Sequence, residues 1–510
     1  MQNHVLDYLK NTVDRVPDKV AFADEEVALT FRELEHHLSA IGTVLAGKGY
    51  HGEPVLIYMD RSPQEIAAFF GVIAAGDFYV PLDEEMPATR IGLIMESCRA
   101  RVLICQERTA AKAAALGFEG EILLYEDLIK EAPDRELLRK CHDTAIDTDP
   151  IYIVFTSGST GVPKGVTACH RSVLDYVEQL SETLGFDEDT VFGNQTPLYF
   201  DACLKELYPT IKFGATTYLI PRELFSFPVR LLEYLNGHRI NTICWVVSAM
   251  TMISAFRAFD EVRPEYLRLV AFGSEVFPVR QLKLWREAAP NARFFNLYGP
   301  TEGTGMCCYY PVEREFADGE VIPIGRPFKN TQILLLKEGD VPAGEGEEGE
   351  ICIRGTGVTL GYYNNPEKTA SAFVQNPLQK AYPEIIYRTG DIGRRDENGD
   401  LIFVSRRDYQ IKHMGHRIEL GEIEANVNAL EGVRLSACIY DREKNRILLF
   451  YVGDQEPAEL TAQLKEHLPR YMLPNRTRKL EQMPLTANGK LDRKALQQMI
   501  EKDKGEKKSR

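Results

Sequence analysis

Short apolar runs recur along most of this chain with helix-patterned stretches between them, and that alternation limits the fold more than any other feature. The pattern Thr30-Phe-Arg-Glu33 is a capping box, and Leu34, Leu38, Ile41 and Leu45 follow at helical spacing, so an amphipathic helix runs to about Gly47. The strand-like run Pro54 to Tyr58 comes next, then an apolar stretch from Ile66 to Ala75, then Phe78 to Leu82 and Arg101 to Cys105. The rhythm continues through Ile151 to Phe155, Thr216 to Ile220, Thr242 to Val247, Leu269 to Phe272 and Phe294 to Leu297. Strands that alternate with helices build βαβ units and a largely parallel sheet.

After Gly344-Glu-Gly-Glu-Glu-Gly349 the texture changes to short strands and tight turns, with a hairpin signal at Glu397-Asn-Gly-Asp400. From about Asp408 a smaller unit begins, with a helix near Leu420 to Leu430 and a strand at Arg446 to Val452. The expected fold is α/β. A large N-terminal domain of parallel and mixed sheets with helices carries a β-rich subdomain over 1–407, and a hinge joins it to a small α+β domain over 408–510.

A chain of 510 residues buries a large core, and 44 % hydrophobic with 26 % charged residues is ordinary globular composition. The net charge of -15 disfavours a nucleic-acid binder, which needs a basic face. The Ile66 stretch is about half of what a membrane-spanning helix needs and reads as a buried helix. The ten cysteines show no metal or disulfide spacing, and the N-terminus shows no leader pattern, so a soluble cytoplasmic monomer with free thiols is expected. The charged stretch Glu501 to Arg510 reads as a frayed tail.

Chemistry concentrates in a few segments. Thr156-Ser-Gly-Ser-Thr-Gly161, then Lys164 and Gly165, follows a strand with hydroxyls, glycines and a cation, a composition that wraps phosphate. It is not a Walker A loop, because Pro163 precedes Lys164 and Gly165 follows it. Alone, such a loop is as compatible with a structural turn. Asn296-Leu-Tyr-Gly-Pro-Thr-Glu302 offers a ring, a hydroxyl and a carboxylate, and Tyr387-Arg-Thr-Gly-Asp391 offers a carboxylate after a turn. Asn488-Gly489 makes a tight turn that presents Lys490.

In this order these segments resemble the signatures of the AMP-forming adenylating superfamily. The amino-acid-activating type is the nearest in pattern: nonribosomal peptide synthetase adenylation domains and stand-alone D-alanine–carrier protein ligases. The resemblance implies ATP and Mg²⁺ as cofactors. It implies that Thr156, Ser157, Ser159, Thr160 and Lys164 hold the phosphates, that Tyr298 stacks on the adenine with Asn296 and Gly299 also at the ATP site, that Asp391 holds the ribose, and that Arg406 meets the ribose or phosphate. Thr301, Glu302 and Lys490 are the implied catalytic residues, with Glu302 the metal ligand. Asp408 is the implied hinge, and Gly415 lines the thiol tunnel. Ser405 stands where that family usually has Gly.

The segment Phe200-Asp201 resembles the site at which amino-acid-activating members set a carboxylate against the substrate ammonium. As a bare residue, Asp201 equally suits a helix cap. By the same alignment the pocket is Ala202, Lys205, Ser248, Val270, Phe272, Gly273, Leu297, Gly305 and Met306. Lys205 favours an acidic partner, or else pairs with Asp201 four residues before it. Phe272 shortens the pocket and favours a small substrate. Lys205-Glu-Leu-Tyr-Pro209 and Phe272-Gly-Ser-Glu-Val-Phe-Pro278 resemble the D-alanine ligases. The implied activity is formation of an aminoacyl-AMP from a small or acidic amino acid, then transfer to the phosphopantetheine thiol of a separate carrier protein. An acyl-CoA synthetase and a non-catalytic nucleotide-binding protein are the alternatives.

Overall fold

The computed structural model describes residues 2–158, 161–407, 409–484 and 491–508, with side chains described up to Glu501. The chain divides into two compact units. One comprises Met1–Glu84, Ser97–Phe155 and Gly165–Arg407, and the other Glu85–Glu96, Thr156–Lys164 and Asp408–Arg510.

In the first unit the expected elements form for the expected reasons. Thr30 caps Phe31–Gly47, accepting from the Glu33 N–H at 3.3 Å while Glu33 accepts from the Thr30 N–H at 2.8 Å. Ser62 caps Pro63–Ala74, whose proline stands at the start, and this helix buries nearly all of its side chains. Among the described residues, no helix is long and apolar enough to cross a membrane. The strands Pro54–Tyr58 and Phe78–Leu82 are buried throughout and pair in parallel, so their continuous apolar runs reflect a sheet covered on both faces.

Among the described residues, that sheet has seven strands and a second has nine. In the second, Val191–Asn194, Thr242–Val246, Leu269–Gly273 and Arg293–Tyr298 are adjacent and parallel. One face carries Cys244, Ala271 and Leu297, and the other carries Trp245, Val270 and Phe272. The expected β-rich region follows as an antiparallel sheet of Thr331–Leu336, Gly349–Gly355, Ile385–Arg395 and Phe373–Gln375, with Leu401–Arg406 paired to Ile385–Arg395.

The second unit is α+β. Val433–Asp441, Arg446–Gly453 and Arg476–Lys479 form a sheet with Leu420–Asn428 and Pro457–Leu464 packed on one face through Ile423, Leu449, Tyr451 and Leu460. Leu496 and Ile500 of Arg493–Lys508 join Ala437 and Phe450 on the other face. This helix corrects the frayed-tail expectation: it is anchored by those two apolar residues and continues into a Lys- and Glu-rich stretch of good helix formers. All ten cysteines are free, and Cys141 alone is not buried.

Candidate active site

Residues assigned to small molecules cluster at the carboxyl ends of the four adjacent parallel strands, where ligands of open α/β sheets bind. Asp201 and Ala202 follow Val191–Asn194, Ser248 follows Thr242–Val246, Gly273 ends its strand, and Leu297 and Tyr298 end theirs.

Of the residues expected to hold nucleotide, Tyr298, Asp391 and Arg406 come together. The Tyr298 hydroxyl donates to Asp391 at 2.5 Å across 93 residues of sequence. Arg406 faces Asp391 in strand register, donates to its other carboxylate oxygen, and also donates to the Thr389 carbonyl at 3.1 Å. Burial, and then the Asp391 charge, pushes the Tyr298 phenol well above its usual pKa. A carboxylate has about four acceptor positions, so Asp391 held this way still has lone pairs for a diol. Asn296 donates to the Pro323 carbonyl at 2.8 Å. Gly299 must be glycine, because a Cβ there would lie 2.1 Å from the Gly305 carbonyl oxygen.

Thr301 and Glu302 lie in the turn Thr301–Gly303. Glu302 is fully buried and accepts from the Tyr362 hydroxyl at 2.8 Å. The Thr301 hydroxyl and the Glu302 carboxylate are hard oxygen donors, the kind Mg²⁺ takes. Tyr362 had no signal in the sequence.

Because Arg406 and Asp391 are nearly buried, with side chains 11 % and 5 % exposed, removing the carboxylate takes a desolvated counter-charge from the guanidinium. Asp391→Asn is expected to cost about 3 kcal/mol of stability. A lower denaturant midpoint at unchanged slope measures it, and an unchanged midpoint contradicts it.

Of the residues expected to meet the acid, Asp201 opens the 3₁₀ turn Asp201–Cys203, which leads into the helix Leu204–Phe213. Lys205 is buried, and among the described residues no carboxylate lies within 4.0 Å of its ammonium. The Asp201–Lys205 pair is therefore absent, since the tighter turn breaks the α-helical spacing it requires. The Lys205 charge instead acts on Glu206 and on the Cys203 and Cys244 thiols. Leu297 and Met306 share the face of Cys203 and Cys244. Val270 and Phe272 turn to the opposite face, Phe272 standing edge-on to Phe277 at 4.8 Å. The Ser248 N–H donates to Glu275 at 2.8 Å.

Glu206, also unmarked in the sequence, is fully buried and accepts from Asn194 at 3.3 Å. Burial raises its pKa to about 8, against the pull of Lys205. Folded Glu206 thus keeps its proton at neutral pH while the unfolded chain releases it, so its contribution to stability is lost as pH rises from about 4.5 to about 8. Glu206→Gln is expected to flatten the melting-temperature profile over that window. Parallel profiles for the two proteins would contradict this.

In the second unit, Thr156 faces the Lys164 carbonyl at 3.5 Å. The Ser157 hydroxyl donates to the Arg417 carbonyl at 2.9 Å and accepts from the Glu419 N–H at 3.2 Å. The Gly158 N–H donates to Glu422 at 3.1 Å, and Arg90 pairs with the same carboxylate. Phosphate held here would exchange with those contacts. Gly415 lies in the two-residue turn between the strands Gln410–His413 and His416–Glu419. Ser159, Thr160, Asp408 and Lys490 lie outside the described residues.

The model of the AMP-binding enzyme family matches residues 9–363, and that of the AMP-binding enzyme C-terminal domain matches residues 422–490. Tyrocidine synthase 1 of Brevibacillus parabrevis is 30 % identical over 486 residues, covering 94 % of this chain and 43 % of its own length. Gramicidin S synthase 2 of Brevibacillus brevis is 31 % identical over 494 residues, covering 95 % of this chain and 11 % of its own. The chain thus spans less than half the length of these curated relatives. Among solved structures, the Vibrio cholerae adenylation domain AlmE, in complex with glycyl-adenosine-5'-phosphate, matches with a TM-score of 0.85 at 22 % identity over 98 % of both chains. The four-domain nonribosomal peptide synthetase AB3403, bound to AMP and glycine, matches with a TM-score of 0.70 at 27 % identity over 97 % of this chain and 36 % of that one. With its family matched over most of its length, the chain belongs to the AMP-binding enzyme family, as an adenylation domain of the AMP-forming, adenylate-forming superfamily.

Proposed function

We propose that this protein activates an amino acid with ATP and passes it to the phosphopantetheine thiol of a separate carrier protein. The observation that carries the nucleotide half is the Tyr298–Asp391–Arg406 cluster, a buried carboxylate oriented by a phenol and a guanidinium. That arrangement suits a ribose diol beside an aromatic surface. Asp201, near the buried Lys205 at the same strand ends, supports an amino acid as the acid. So do the glycine and glycyl-adenylate bound by the two solved relatives.

In chemical terms, a carboxylate oxygen of the substrate attacks the α-phosphorus of ATP, the bond to pyrophosphate breaks, and a mixed anhydride forms. The thiol sulfur then attacks the acyl carbon, loses its proton, and AMP leaves. In this reading Thr156, Ser157, Ser159, Thr160 and Lys164 neutralise phosphate charge, and Lys490 supplies an ammonium to the oxygens that gain charge. Mg²⁺ held by Glu302 would add further charge neutralisation at the phosphates. The small domain over 408–510 turns at Asp408, so that Lys490 serves the first step and the Gly415 segment the second. The amino acid is small, like D-alanine, or acidic.

The test is ATP–pyrophosphate exchange across L- and D-amino acids. Exchange that depends on a small or acidic amino acid is the expected result. Exchange with aryl or fatty acids alone, or turnover that needs coenzyme A and no carrier, overturns the reading.

A further inference from the structure

Tyr176 belongs to the helix His170–Leu184 and is only 5 % exposed. Its phenol end lies against Gly305: a Cβ at that glycine would stand 3.2 Å from the ring carbon that bears the hydroxyl and 3.3 Å from the hydroxyl oxygen. Gly305 has a φ of +83°, so a side chain there is disfavoured by the backbone as well as by the ring. Tyr176 therefore takes the space that a side chain at 305 would fill, on the face shared by Leu297 and Met306.

The Met306 N–H faces the phenol oxygen, and no acceptor takes the hydroxyl's own proton among the described residues. Burial, then the Asp201 charge, raises this phenol well above its usual pKa, which keeps it protonated and a donor. Nearby, the Lys205 ammonium acts on Cys244 and has no carboxylate within 4.0 Å among the described residues. The Tyr176 hydroxyl is thus a buried donor that finds no acceptor among the described residues. Buried polar groups left in that state are few in native folds, and a ligand acceptor is one way to complete them.

We propose that Tyr176 is a specificity-determining residue of the amino-acid subsite: its hydroxyl, against Gly305, donates to an oxygen at the end of the substrate's side chain. This rests on the amino-acid reading above and selects its acidic branch, because alanine offers no side-chain acceptor.

The experiment is amino-acid-dependent pyrophosphate exchange by the full chain and by Tyr176→Phe, with aspartate, glutamate and alanine, alongside urea denaturation. Expected for the wild type is a preference for an acidic amino acid. Tyr176→Phe should raise the KM for that amino acid about tenfold, leave the KM for ATP unchanged, and leave alanine unaffected. Removing an unused buried hydroxyl should leave the denaturation midpoint unchanged or higher, whereas a structural hydroxyl would lower it. Lys205→Met should separately abolish the preference for an acidic side chain.

An unchanged KM for the acidic substrate, an equal rise for alanine, or a lower midpoint overturns the proposal. If the wild type takes alanine and rejects both acidic amino acids, the proposal falls and the amino-acid reading stands. If no amino acid supports exchange, both fall together.

Discussion

Lys490→Ala is expected to lower amino-acid-dependent pyrophosphate exchange by on the order of 10²-fold or more. Lys490 lies outside the described residues, so the expectation rests on charge. As the carboxylate attacks phosphorus, negative charge moves onto the bridging oxygen and the departing pyrophosphate. An ammonium aimed at those atoms stabilises the transition state more than the bound reactants, so its loss should fall on kcat more than on either KM. Thiol transfer from an aminoacyl-AMP supplied ready-made should survive, because that step needs no new charge on the incoming carboxylate. Single-turnover assays of the two halves separate these effects. Equal losses in both would mean that alanine damages the fold, and no loss in the first would remove Lys490 from the reaction.

What the sequence revealed divides by distance along the chain. The Thr30 cap, the buried Ile66 helix and the turn before Leu401 are local, and each formed from residues a few positions apart. Asp391 and Arg406 were each legible, but their pairing depends on the register of two strands, and the reach of Tyr298 to Asp391 depends on two different sheets. Nothing near Tyr176, Tyr362 or Glu206 marks them, since they matter only for what the fold sets beside them. One expectation failed on local geometry: pairing Asp201 with Lys205 presumes a continuous α-helix where a 3₁₀ turn intervenes. The terminal helix was missed because charge alone reads as solvation, while Leu496 and Ile500 anchor it.

The residue that carries the choice of an amino acid is Asp201, and Asp201→Asn tests it most directly. Asparagine caps a helix as well as aspartate does, so the substitution removes charge without removing capping capacity. In the structure neither cap position is Asp201: Phe200 precedes the 3₁₀ turn, and Cys203 precedes the helix. A capping role therefore gives little loss of any kind. An ammonium-binding role gives a large and selective one, because a buried cation left without its counter-charge costs about 3–5 kcal/mol. That corresponds to a rise of about 10²-fold to several thousandfold in the KM for the amino acid, with the KM for ATP unchanged. The sharper comparison uses the same acid without its amino group. For the wild type, that analogue covers the Asp201 carboxylate without offering it an ammonium and is a poor substrate, whereas Asp201→Asn loses this penalty. The variant should then accept the desamino acid as well as or better than the wild type while losing the amino acid. If both acids decline together, Asp201 supports the local fold and the case for an amino-acid substrate loses its charge argument.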